Sequence, residues 1–365
     1  MYILGDIIKE IETLYPQDLA ETWDNVGLLI GSQFQKVNKM LCVLDINEEV
    51  VQEAITQKVD CIFTHHPFIF KPLKNLNFDD PTNKLIKTLI MNNISVYTAH
   101  TNLDIARDGI NDILCSLLEI NIAGILEITN NKKLCKFIVY VPEEYYDHVR
   151  RVIINYNPCL IGDYKGCTFT SLGEGTFIPL NQSKPYIGEI GSLEVVGERK
   201  IECVIEKDNL SDIMQQIKRV HPYEEIAFDL IEIENISKQS GIGRYGTIPK
   251  TTVCEYIEKV KEKLSIPYVK LIGESNKVVE KVSVCSGSGS NYIKQAAHVS
   301  DLYITGDIKY HDAQEALNIG LTVLDVGHYS SENAALPYVV KHIKNRLSNI
   351  EIICSKVDGN VFKIL

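Results

Sequence analysis

The sequence predicts an α/β fold: a two-lobed main domain of mainly parallel sheets flanked by helices, carrying an inserted ferredoxin-like α+β domain. Three observations predict it. Short apolar runs alternate with amphipathic stretches toward both ends of the chain. The texture changes between residues 128 and 238. Polar, chemistry-bearing residues gather directly after the apolar runs.

In the first lobe (1–127), "KMLCVLD", "DCIFT" and "ISVYTA" read as buried strands. "NEEVVQEAITQKV", "TNKLIKTLIMNN" and "DGINDILCSLLEI" carry helical periodicity between and after them. The second lobe (239–365) resumes the alternation, with "VEKVSVC", "DLYIT" and "LTVLDV" as strands. "SENAALPYVVKHIKNRL" reads as the last long helix, kinked or starting late at Pro337, and "EIICSKV" as the strand that closes the sheet. The middle segment (128–238) orders its elements β-α-β-β-α-β, the ferredoxin-like pattern. The glycine-rich "SGIGRYGTIP" (240–249) reads as a hinge back into the main domain.

A 365-residue chain with 45% hydrophobic residues can build its core without a metal staple, so any metal it holds serves a function. The net charge of -11, without a long basic run, disfavours nucleic acid as a partner. Ten cysteines without a CxxC pair, several inside apolar runs, read as core thiols of a protein in the reducing cytoplasm. The amphipathic "MYILGDIIKEIETLYP" is no signal peptide, and no apolar run is long enough to span a membrane.

Ligands of an open parallel sheet bind outside the carboxyl ends of its strands. Those ends carry Thr64-His65-His66, His100 to Asp104, Ser286 to Ser290, Thr305-Gly306-Asp307 and Gly327 to Glu332. His65, His66, Asp104, His328 and Glu332 supply three imidazoles and two carboxylates. That set suits zinc, with iron or manganese as alternatives, and is large enough for two divalent ions. Neighbouring residues of a strand point to opposite faces, so the adjacent His65 and His66 address one site only if the strand has ended before them, or else each holds a different ion of a pair. Glu332 is placed in the first turn of the last helix, capped by Ser330 or Ser331, with His328 in the preceding loop. His100 and Asn102 would orient ligands. Among the other motifs, Arg244 and the 286–290 loop are phosphate-binding candidates. "HPYEE" (221–225) reads as the junction of a helix and a strand. His148, His298 and His342 read as ordinary surface residues.

"ETWDNVGLLIG" (21–31), "THHP" (64–67), "HTNLD" (100–104), "TGDIKYHDA" (305–313) and "GHYSSE" (327–332) resemble the motifs of the Nif-three-like family, whose bacterial members are called GTP cyclohydrolase I type 2 homologs. The insert resembles the PII-like or CutA-like domain of the longer bacterial members. The resemblance implies a dinuclear metal site on His65, His66, Asp104, His328 and Glu332, and a homohexameric ring of two trimers. Trp23, Asp24 and Asn25 belong to a family hallmark for which spacing supplies no role. The function expected is a metal-dependent hydrolase of a small molecule or nucleotide, of GTP cyclohydrolase type by resemblance. A metal-activated water would be the nucleophile, and the catalytic candidates His100 and His311 would relay protons. The alternative is a metal-binding regulatory or metal-delivery protein without efficient turnover.

Overall fold

The computed structural model describes residues 2–130, 133–156, 159, 161, 164–235 and 239–363. It divides into two compact units, one formed by 1–130 with 240–365 and the other by 131–239. The insert boundary expected at 238 lies outside the described residues.

The chain enters the first unit through β1 (Tyr2–Ile3), α1 (Leu4–Leu14), β2 (Gly27–Ile30), β3 (Lys36–Val37) and β4 (Lys39–Val43). It continues through α2 (Glu48–Thr56), β5 (Cys61–Thr64), α3 (Pro81–Met91) and β6 (Ser95–Thr98). The short α4 (Thr101–Ile105), α5 (Ile110–Leu117) and β7 (Asn121–Asn130) complete the segment.

The second unit runs β8 (Leu134–Pro142), α6 (Tyr146–Tyr156), β9 (Thr168–Phe177), β10 (Glu194–Glu206), α7 (Leu210–Ile217) and β11 (Phe228–Glu232). These strands form one antiparallel sheet in the order β11-β8-β10-β9. That is the ferredoxin-like topology expected from the β-α-β-β-α-β pattern. One face buries Phe137, Val139, Ile201 and Ile205 under Val149, Ile153, Ile213 and Ile217 of the two helices. His221 belongs to this unit's packing: its Nε2 lies 2.9 Å from the Tyr140 carbonyl, and Tyr223 N–H donates to its Nδ1.

The return segment runs β12 (Ser240–Thr252), α8 (Val253–Leu264), β13 (Lys270–Ile272), β14 (Val278–Ser288), α9 (Ile293–Val299) and β15 (Leu302–Gly306). It ends with α10 (Tyr310–Asn318), β16 (Thr322–Asp325), α11 (His328–Asn333), α12 (Leu336–Arg346) and β17 (Glu351–Cys354).

Two sheets organise this first unit. One has the order β17-β4-β5-β6-β2, parallel except for β2. The other has the order β13-β16-β15-β14-β12-β7, in which β14, β15 and β16 run parallel and the flanking strands antiparallel. The strands are continuous apolar runs because helices cover both faces: Met40, Cys42, Cys61 and Phe63 face α1 and α12, while Leu41, Val43 and Ile62 face α2 and α3.

Three expectations change. The glycine-rich 240–249 is no hinge but most of β12, paired with β7 on one side and β14 on the other. Its glycines permit close strand contact: a Cβ at Gly241 would sit 2.0 Å from the Glu127 carbonyl oxygen, and one at Gly246 2.1 Å from that of Asn121. The terminal strand β17 does not close the second sheet. It joins β4 in the first, and α12 packs with it against α1 through Val339, Val340 and Ile343. Finally, α11 starts at His328 itself, after Gly327 at φ +83°, so His328 is helical and neither serine caps it. Ser331 Oγ instead accepts from Gly287 N–H and donates to the His328 carbonyl. Pro337 falls in the first turn of a separate helix, where its missing N–H costs nothing.

Candidate metal centre

The parallel strands of the two sheets end in loops that bring their polar residues together. His65 and His66 follow β5, His100 follows β6 and caps α4, Asp104 lies in α4, and His328 and Glu332 lie in α11 after β16. β14 contributes Ser286 and Gly287 from the second sheet.

Each imidazole is held by its Nδ1. That of His65 lies 3.0 Å from the Ala99 carbonyl, that of His66 2.8 Å from Asp45 Oδ1, and that of His328 2.7 Å from Asp307 Oδ2. His100 Nδ1 lies 2.9 Å from Asp24 Oδ1. All four acceptors place the proton on Nδ1 and turn the Nε2 lone pair inward, the arrangement that outer partners impose on metal-ligating histidines.

The inward atoms are close. His66 Nε2 lies 3.2 Å from His328 Nε2 and 3.0 Å from Glu332 Oε2, and His328 Nε2 lies 3.2 Å from Glu332 Oε1. His65 Nε2 is 3.7 Å from Glu332 Oε1 and 3.8 Å from Asp104 Oδ1. Two groups of potential ligand atoms result, His65-His66-His100 and His66-His328-Glu332, sharing His66. Asp104 joins neither group but stands beside His65, its Oδ1 accepting from Ser286 Oγ at 3.0 Å.

The donor set fits a metal cation on structural grounds. His65 Nε2 is buried without a hydrogen-bond partner, which costs about 1–3 kcal/mol if it is left unpaired, and the buried Glu332 Oε2 has only His66 Nε2, 3.0 Å away, beside it. His66 Nε2 and His328 Nε2, facing each other at 3.2 Å, likewise need a cation between or beside them, a proton in the free protein or a metal ion in its place. Gly287 keeps the space open: a Cβ there would meet Glu332 Oε1 at 2.3 Å and His328 Nε2 at 3.3 Å.

Charge follows the same geometry. Burial pushes the His66 pKa down, but Asp45 and Glu332 outweigh it and raise it to about 10. The hydrogen bond to Glu332 is the main cause that lifts His328 to about 9. Burial raises the Asp104 carboxyl, whereas His65 and His328 hold Glu332 well below the ordinary carboxylate range despite burial. Burial would raise Asp24 too, yet hydrogen bonds from His100 and Thr101 lower it to about 2.

His311, the second catalytic candidate, is exposed on α10 with its Nδ1 3.2 Å from Gln314 Oε1, and joins neither group. Arg244 is buried, pairs with Asp112 and donates to the carbonyls of Ile105, Ala106, Gly241 and Gly243, so a structural network occupies its donors. The 286–290 loop serves the centre through Ser286 and Gly287. Residue patterns missed the orienting role of Asp45 and Asp307, and for Asp24 they supplied no derivation of it. Asp45 was within reach, since it stands at the carboxyl end of the first parallel strand, β4.

Fold and centre together define the class: an α/β protein with an inserted ferredoxin-like domain and histidine-rich groups that can hold metal ions. The chain belongs to the NIF3 family (DUF34, NGG1p interacting factor 3), whose model matches residues 3–361. A Bacillus subtilis relative called GTP cyclohydrolase 1 type 2 homolog is 37% identical over 364 residues, covering 98% of both chains. A Listeria innocua relative of the same name is 40% identical over 360 residues, covering 97% of this chain and 96% of its own. The crystal structure of a Bacillus cereus protein related to NIF3 superposes with a TM-score of 0.82 at 34% identity, covering 100% of this chain and 99% of that one. Among the described residues no helix is long and apolar enough to cross a membrane.

Proposed function

We propose that this protein is a metal-dependent hydrolase of a small molecule or nucleotide, with two divalent ions held by His65, His66, Asp104, His328 and Glu332, and His100 beside them. The observation that carries the proposal is the orphaned buried His65 Nε2, with the buried Glu332 carboxylate 3.7 Å from it, at the meeting point of four inward-turned imidazoles. Bound there, divalent ions would lower the pKa of a water molecule and polarise the attacked atom. The protein's own residues supply order. Asp24, Asp45 and Asp307 fix the imidazole tautomers, Ser286 orients Asp104, and the carboxylate of Glu332 balances the charge between three histidines. His100, 18% exposed at its side chain, is the group placed to pass a proton outward. The relatives' name supports GTP as the first substrate to try.

The test is formate or phosphate release from a nucleotide panel by the metal-loaded protein. Asp104→Asn should abolish turnover while the protein stays folded by circular dichroism. No turnover with about two ions bound per chain would leave the alternative, a metal-delivery or regulatory protein. Elemental analysis that finds less than one ion per chain after saturation would remove the dinuclear site. The same reading includes assembly into a homohexamer of two trimers, which a monomeric mass in light scattering would refute.

A further inference from the structure

Of the Trp23-Asp24-Asn25 motif the hydrolase reading uses only Asp24; its neighbour Trp23 carries a large aromatic ring to the surface. Trp23, the chain's single tryptophan, is 59% exposed, and Phe70 on the loop after His66 is 46% exposed. Other aromatic rings of the chain are as exposed, but these two stand side by side next to His100. Their centroids lie 6.0 Å apart with the planes at 58°, which leaves an open L rather than a closed stack.

The rings stand on a fixed base. Glu21 and Asp24 close a turn under Trp23, and the Asp24 side chain, wholly shielded from solvent, accepts from His100 Nδ1, Asn25 N–H, Thr101 N–H and Thr101 Oγ. Asn25 Nδ2 donates to the Ile69 carbonyl, tying the Trp23 turn to the loop that bears Phe70. The indole also meets the edge of the His100 ring, with centroids 6.2 Å apart at 76°. The tripeptide therefore couples three things: an exposed ring, the orientation of His100, and the position of a second ring. A rigidly mounted aromatic surface binds without first losing side-chain freedom, which favours stacking by a flat ligand.

We propose that Trp23 and Phe70 form a stacking subsite for the planar ring of a nucleotide-type substrate, placed so that the rest of the substrate reaches the histidines beside His100. The proposal rests on the hydrolase reading for the substrate's class, but its test does not depend on turnover. Every nucleobase offers a π-face, so the subsite contributes affinity and position while the metal centre selects the reacting group.

Because Trp23 is the sole tryptophan, its fluorescence reports on this subsite alone. Full-length, metal-loaded protein is titrated with GMP, AMP and CMP, and with ribose 5-phosphate as the ligand without a ring. The nucleotides should quench the emission and ribose 5-phosphate should not. By calorimetry, Trp23→Ala should weaken nucleotide binding roughly 5- to 150-fold and Phe70→Ala by less, with metal content and ribose 5-phosphate affinity unchanged. Equal nucleotide affinity in wild type and both variants, or no quenching by any of the three, overturns the subsite. So does a blue-shifted emission before ligand is added, combined with dissociation of an oligomer by Trp23→Ala, since a second copy would then cover the ring. Quenching without formate or phosphate release sinks the hydrolase reading alone. Turnover that survives Trp23→Ala with unchanged KM sinks the subsite alone.

Discussion

Asp24 shows how one side chain can set the chemistry of another. Its carboxylate accepts the His100 Nδ1 proton, so His100 offers Nε2 toward His65 and His66. Asp24→Asn should weaken metal binding at that group roughly 10- to 100-fold in a competitive chelator titration. With its pKa near 2 in the fold, below the usual value of about 3.9, Asp24 stabilises the native state above that usual value. This contribution should disappear as the pH falls from about 4 to about 2, and Asp24→Asn should flatten that part of the acid denaturation curve. The histidines have the opposite sign. Raised to about 10 and about 9, His66 and His328 stabilise the metal-free fold fully below about 6.5 and lose that stabilisation as the pH rises through 9 and 10. Metal must displace these protons, so its apparent affinity should increase with pH over the same range. Melting temperatures with and without metal should therefore diverge as the pH rises. Parallel curves would show that the histidines do not bind the ion.

At the scale of elements, the centre depends on how strands end. β14 carries Gly287 at φ +63°, within 3.3 Å of two candidate ligand atoms when a Cβ is added. Gly287→Ala should therefore lower metal occupancy in elemental analysis, by crowding Glu332 and by straining the backbone. The glycines of β12 show why pattern alone misleads. "SGIGRYG" reads as a flexible joint, because glycine is the residue of turns as well as of close strand contact, and only the neighbouring β7 carbonyls distinguish the two. Likewise, Ser330 and Ser331 look like caps from sequence. The positive φ of Gly327 instead lets α11 start at His328, placing it four residues from Glu332 on one helix face.

On the scale of the whole first unit, the two outer segments exchange strands. β7 from the first segment edges the second sheet, and β17 from the last edges the first. Arg244 fastens this arrangement, linking β12 to Asp112 of α5 and to the carbonyls that end α4. Arg244→Ala should destabilise the protein by about 3–5 kcal/mol in urea unfolding, because it strands a shielded carboxylate and several carbonyls. A loss below about 1 kcal/mol would assign the arginine a role other than this network.

The sequence by itself determined the alternation of buried strands and amphipathic helices, the order of the inserted domain, and the gathering of imidazoles and carboxylates after the strands. Hydrophobic periodicity and residue type are local properties, and they survive translation into structure. Only the tertiary structure decided that His100 stands among the candidate ligands, that His311 stands apart from them, and that Asp24, Asp45 and Asp307 orient the rings. It also decided which sheet receives β7 and β17. The physical reason is that hydrogen-bond partners, sheet edges and the Trp23–Phe70 contact join residues tens to hundreds of positions apart, whose distances no local pattern encodes.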